Sequence, residues 1–308
     1  MNAIPNVIDI CGIFKDASSK WMEDKAPRMG AALAYYTAFS LAPLLVIVIA
    51  IVGVVFGKEA AMGQISAQME SIVGADGAKA VETMVASADK PTNGVIATIV
   101  GIAMLVMGAL GLFAQLQDAL NTIWEVQPKP GRGMATFFRD RLLSLSMVLG
   151  TAFLLLASLV VSAALAALGR LLGDWGTTIV AQSLNVGVSL IVIMMLFAMI
   201  YRVLPDAEIA WRDVWFGAAF TTILFTAGKF VIGFYLGQTG TASAYGAAGS
   251  LAALLVWLYY SAQIFLFGAE LTKAYADRNG SHIVPKEFAE PVTVVSPSRV
   301  ATGTSRFC

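Results

Sequence analysis

"TTILFTAGKFVIGFYLG", Thr221 to Gly237, sets one lysine, Lys229, among residues that are otherwise apolar or small. An ammonium at mid-helix in hydrocarbon costs on the order of 3 kcal/mol on insertion scales. The stretch belongs to a longer apolar window, 213–236, which is enough to cross a bilayer. A membrane helix needs ~20 predominantly apolar residues. Five more windows meet that length, at about 30–57, 94–120, 141–169, 179–203 and 248–273. The expected fold is all-α: a polytopic membrane protein with six transmembrane helices.

Composition agrees. Hydrophobic residues make up 58% of the 308, charged residues 13%, and the mean hydropathy is +0.76. A soluble domain is nearer to half apolar and one quarter charged. The formal net charge of zero argues against nucleic acid as a partner, which needs a basic face. Cys11 and Cys308 fit neither a disulfide framework nor a CxxC metal motif. His282 is the single histidine, whereas zinc and triad hydrolases need several His, Cys or carboxylate groups converging on one point. No metal, cofactor or enzymatic activity is expected.

Lysine and arginine set the orientation, because cytoplasmic flanks hold their excess. Fifteen of the twenty fall on one set of flanks, Lys58, Lys79, Lys90 and Arg170 on the other, and Lys229 inside a span. Both termini are therefore expected in the cytoplasm. Residues 1–28 read as a cytoplasmic amphipathic segment, 29–276 as the six-helix domain with an outer loop at 58–91, and 277–308 as a flexible cytoplasmic tail. The opening residues are too charged for an apolar leader. Val7, Ile10, Phe14, Ala17 and Trp21 follow helical spacing, which suits a helix lying on the membrane surface or one packed on a neighbour. In the outer loop, Ile65, Met69 and Ile72, then Val81 and Val85, predict two short amphipathic helices, as an outer cap or as an ordinary solvated loop.

Polar residues inside the spans fall into stripes. Gly108, Gly111, Gln115 and Asp118 share one face of the second span, and Tyr259, Gln263 and Glu270 one face of the sixth. Small and hydroxyl residues on such stripes commonly form helix-packing surface. Pro43 interrupts the first span, with Tyr36 and Ser40 on its face. It frees a carbonyl and predicts a kink, either beside a cavity or purely structural.

Four segments carry a resemblance: "AALAYYTAFSLAPLL" (31–45), "NTIWEVQPKPGR" (121–132), "YRVLPDAEIAWRDVWFGAAF" (201–220) and "YGAAGSLAALLVWLYYSAQIFLFGAELTKAYA" (245–276). In these, and in the Lys229-to-Tyr235 pattern, the chain resembles the YihY/virulence factor BrkB family of bacterial inner-membrane proteins. The resemblance runs from about 28 to 278. It implies a multi-pass protein of the bacterial inner (plasma) membrane. Roles suggested for the family are the movement of lipids or other envelope components and resistance to host serum. The old ribonuclease BN label of the family looks like a misassignment.

Depth separates Lys229 from Glu270. At 1.5 Å per residue Lys229 lies ~6 Å to the outer side of its span's middle, and Glu270 ~15 Å to the cytoplasmic side of its own. Glu270 instead shares its level with Asp118, Arg141, Arg202 and Asp213, an expected cytoplasmic ion-pair belt in which Arg202 or Arg141 would partner Glu270. Thr222, Thr226 and Lys229 share a stripe, so the lysine is expected to point into the protein. It would meet an anion or water in a polar cavity, bond backbone carbonyls, or snorkel between helices. The expected substrate path is Lys229, Thr226, Thr222, Tyr36, Ser40, Pro43, Gln115, Tyr235 and Gln263. The expected function is movement of an anionic or amphipathic, lipid-like envelope molecule across the membrane. A scaffold or assembly factor for the envelope is the alternative. Membrane lipids are the expected partners, and self-association into a homo-oligomer stays open.

Overall fold

The computed structural model describes residues 7–57, 111–130, 177–239, 247–279 and 283–292, with parts of 59–86. Helices dominate. They are α1 (Val7–Glu23), α2 (Ala26–Phe56), α3 (111–123), α4 (Thr177–Val203), α5 (Trp211–Thr239) and α6 (Ala247–Asn279). Windows Val186–Val203, Trp211–Val231 and Leu251–Arg278 are long and apolar enough to cross a membrane. The other expected spans are seen in part: α2 runs unbroken through position 43, α3 is the end of the second window, and 131–176 lies outside the described residues.

The α1–α2 elbow is built by Lys25, whose backbone is left-handed at φ 56°, and by Pro27 in the first turn of α2. Proline suits that turn because its fixed φ is helical and its missing N–H has no partner there anyway. At the other end, Gly57 takes φ 86° and its N–H bonds the Gly53 carbonyl at 2.9 Å. Glycine adopts that positive φ without a Cβ penalty.

Two features depart from expectation. The fold is not purely helical, and the tail is not wholly free. β3 (Val284–Pro285) pairs antiparallel with β2 (Ala207–Glu208), and β4 (Ala289–Pro291) with β1 (Val126–Pro128). Residues 283–292 thus strap the turns that follow α3 and α4. Lys286 fastens the strap: its Nζ donates to the carbonyls of Val203 (3.1 Å) and Pro205 (2.6 Å), and its N–H to that of Asp206 (2.9 Å). These carbonyls end a helix and a turn, where no intrahelical partner exists. Residues 293–308, like His282, lie outside the described residues.

α1 packs on its neighbours. Ile13 and Ala17 are buried with Leu271 and Ala274 of α6, and the Phe14 ring meets that of Phe220 edge-on at 4.8 Å. Arg278 closes the contact through Asp16 at 2.6 Å. The reading of α1 as a helix lying on the membrane surface gives way to the packed alternative, since its most buried face meets protein. The main core joins α3, α4, α5 and α6 around Tyr201, Leu120, Ile123, Phe265 and Leu266. A second cluster packs Val81 and Val85 of the 58–91 loop on Leu45, Val48, Leu254 and Trp257. The described part of the loop therefore packs on α2 and α6 like a cap, at the end of the bundle opposite α1. Met69 and Ile72 lie outside the described residues.

Glycines let α5 and α6 approach closely. A Cβ on Gly217 would meet Thr272 and come within 2.9 Å of the Gly268 carbonyl, and one on Gly268 would meet Thr221 and Tyr201. Small residues at such a crossing allow backbone contact where lipid supplies no hydrophobic drive.

Candidate functional site

Charged residues gather at the α1 end. Lys273, on α6 and nearly buried, forms an ion pair with Glu125 at 2.7 Å. Lys20 of α1 reaches the same carboxylate at 3.4 Å and Glu23 at 3.3 Å. Glu125 follows α3 with a left-handed backbone, φ 54°. The ion pair with Lys273, with the charge of Lys20, holds its carboxyl below the usual range. Asp24, in the elbow, faces Glu270 of α6, which is 1% exposed. Burial pushes the Asp24 carboxyl up, against the pull of Lys273 and Lys20.

A second polar knot lies nearby. Asp206 is buried and accepts from Gln117 Nε2 (3.2 Å) and Asn121 Nδ2 (3.0 Å), while its N–H donates to Asn121 Oδ1 at 2.8 Å. The bonds are mutual, so the buried carboxyl is held by amide donors. None of Asp206, Asn121, Asp24, Glu125, Lys20 and Lys273 was among the expected site residues. The one available signal was Lys273 three residues after Glu270, on the same helical face.

Of the expected belt, Arg202 does not pair with Glu270, and Arg141 lies outside the described residues. Arg202 donates to the Ile209 carbonyl and lies over the Trp211 ring at 4.6 Å, so it is not the partner of Glu270. A guanidinium stacked on an aromatic and bonded to a carbonyl is already engaged. Asp118 is exposed. Asp213 is fully buried in the first turn of α5, 3.8 Å from Arg212. The positive end of the helix dipole favours an acid there.

The expected path residues are spread over the bundle. Thr222 is buried and Thr226 half-buried; each hydroxyl donates back to its own helix, to Ala218 and Thr222 carbonyls at 2.8 and 2.7 Å. Lys229 is half-buried and makes no hydrogen bond or ion pair among the described residues. Beside it Ile223, Phe230 and Val231 are exposed. Ser40 is buried, while Tyr36 is exposed and approaches Gly111 of α3. Gln115 is half-buried on α3. Gln263 fills the space over Gly30, its Nε2 3.5 Å from the Pro27 carbonyl, which is a packing contact at the α1 end. The side chains of Pro43 and Tyr235 lie outside the described residues.

Two hollows lie among the described residues. One of about 380 Å³ lies between α2 and the cap, with Leu45, Ile49, Val81, Val85, Glu70 and Glu82 among its walls. The other, about 400 Å³ and almost wholly apolar, is a groove between α1, α5 and α6 with Trp21, Met22, Leu224 and Phe267 in its wall. Lys229 lines neither.

Apolar helices of spanning length, joined by a strapped polar end, are the frame on which residues 17–291 match the family model described as Virulence factor BrkB. The chain belongs to that family. Among its relatives, a UPF0761 membrane protein of Pseudomonas aeruginosa (strain LESB58) is 28% identical over 82% of this chain and 60% of its own length. One from Azotobacter vinelandii is 26% identical over 86% of this chain and 63% of its own length. One from Verminephrobacter eiseniae is 32% identical over 56% of this chain and 40% of its own. The chain thus spans about 60% of the length of the relatives it matches over most of its own. No solved structure matches it. This BrkB-family chain is an integral membrane protein.

Proposed function

We propose that the chain crosses the bacterial inner membrane six times, with both termini cytoplasmic, and helps to move an anionic amphipathic molecule of phospholipid type. Lys229 carries the reading. It is a half-buried cation in an apolar span, on the border between the buried Thr222 side and the exposed Ile223–Phe230 side, without a partner among the described residues. An intramembrane ammonium in that position supplies a counter-charge for a headgroup phosphate crossing at the protein–lipid boundary. The path in this proposal follows the surface of α5, where half-buried Lys229 borders the exposed Phe230 and Val231.

The orientation rests on the lysine and arginine bias, and places the α1 end in the cytoplasm. Reporters fused after Arg28, within 204–212 and after Asp277 should all report cytoplasm, and fusions in 58–91 the outer side.

Lipid scrambling by purified protein in liposomes tests the activity. Lys229→Met should fold normally and lose scrambling, and Lys229→Arg should keep part of it. A stable Lys229→Met protein with full activity would end this reading. Scaffolding of the envelope is the second reading, favoured by the threonine hydroxyls, which donate into their own helix and leave no free donor. Catalysis is not proposed: purified protein should show no metal-dependent ribonuclease activity, and His282→Ala should behave as wild type.

A further inference from the structure

Three carboxyls, Asp24, Glu125 and Glu270, share the α1 end with two ammoniums, Lys20 and Lys273. Both ammoniums are drawn to Glu125, at 2.7 Å from Lys273 and 3.4 Å from Lys20. Asp24 and Glu270 are left beside each other, within hydrogen-bonding reach. Among the described residues neither oxygen of Glu270 accepts a hydrogen bond, nor does Oδ2 of Asp24, and all three are buried. Ionised carboxylates only accept, and two of them side by side repel. A proton on one converts it into the donor that the other lacks.

We propose that Asp24 and Glu270 form a proton-binding site that holds a single proton between them at neutral pH. The groups that face it come from every element packed there: Lys20 and Glu23 from α1, Asp24 from the elbow, Glu125 from the end of α3, and Lys273 with Glu270 from α6. Glu23 is more than half exposed and spends its charge on Lys20 in solvent. The two ammoniums disfavour a metal cation in the same place and leave a proton as the cation that fits. Burial raises the Asp24 carboxyl, in keeping with a protonated pair. The bound proton ties the α1–α2 elbow to α6. The site does not depend on the transport reading and stands or falls separately from it.

Infrared difference spectroscopy on the full chain in nanodiscs, titrated from neutral to alkaline pH, reads the proton directly. A protonated-carboxyl band should be present at pH 7, shift in heavy water and vanish on alkaline titration. Asp24→Asn and Glu270→Gln should each abolish it. Asp213→Asn, which alters another buried carboxyl without a hydrogen-bond partner, should leave it intact. Absence of the band in wild type, its persistence in both site variants, or its loss in Asp213→Asn overturns the proposal. Its displacement by added sodium or potassium also overturns it, in favour of a metal-cation site. Carbon-13 labelling of aspartate or glutamate carboxyls in the wild-type chain reads the carrier even where a variant does not fold. A band that shifts with neither label refutes the assignment.

Discussion

Glu125 reaches Lys273 at 2.7 Å from a left-handed backbone, φ 54°. A non-glycine residue in that conformation costs roughly 1–2 kcal/mol. The ion pair and the turn after α3 hold it there. Both Glu125→Ala and Glu125→Gly lose the pair, but only glycine relieves the backbone. The glycine variant should therefore be the more stable of the two by about 1 kcal/mol, and melt at the higher temperature. Equal melting temperatures would mean that the left-handed turn is not retained.

Acid should remove what Glu125 contributes. Its folded pKa lies below the unfolded value of 4.5, so the stabilisation is complete above that pH and is lost as pH falls through the folded value. Asp24 runs the other way. Its pKa is raised from 3.8, so its contribution is complete below that pH and is lost as pH rises through the folded value. Glu125→Gln should be less stable than wild type at pH 7, with the gap closing below about pH 4.5. Asp24→Asn should gain stability at pH 7 and show no gain in acid. Thermal melts at stepped pH in one detergent check both.

The α5–α6 crossing should resist any side chain larger than hydrogen. Gly217→Ala puts a methyl 2.9 Å from the Gly268 carbonyl, which belongs to backbone and cannot swing aside. A loss of about 1–3 kcal/mol is expected, as for overpacking generally. Tyr201→Phe removes the hydroxyl that donates to the Phe265 carbonyl at 2.7 Å and should cost about 1 kcal/mol. Melting temperature against wild type measures each.

A chain ending after Asn279 lacks β3, β4 and Lys286, and leaves the carbonyls of Val203, Pro205 and Asp206 without those donors. It should insert normally, because no apolar span is touched, and yet melt earlier. Faster cleavage by added protease at the turns after α3 and α4 should accompany the lower melting temperature. Unchanged melting would show that the strap contributes nothing.

Hydropathy runs marked α2, α4, α5 and α6, because burial in lipid is a sum over one local stretch and needs no knowledge of neighbours. Helical spacing placed Phe14, Ala17 and Trp21 on one face of α1, but spacing does not say whether that face meets lipid or protein. Pairing across the bundle was beyond it. Level along the span suggested Arg202 or Arg141 for Glu270, yet rotation about the helix axes turned Arg202 to Trp211 and brought Asp24 and Lys273 towards Glu270, while Arg141 lies outside the described residues. The same holds for residues 283–292, whose polar composition reads as a free tail until open carbonyls at two turns offer them strands to join. Sequence alone decided the membrane class and the apolar helices described here, since each follows from residues within a few turns of one another. Tertiary structure alone decided the charged cluster, the strap and the docking of α1, since a buried charge selects its partner by distances of a few ångströms between segments far apart in the chain.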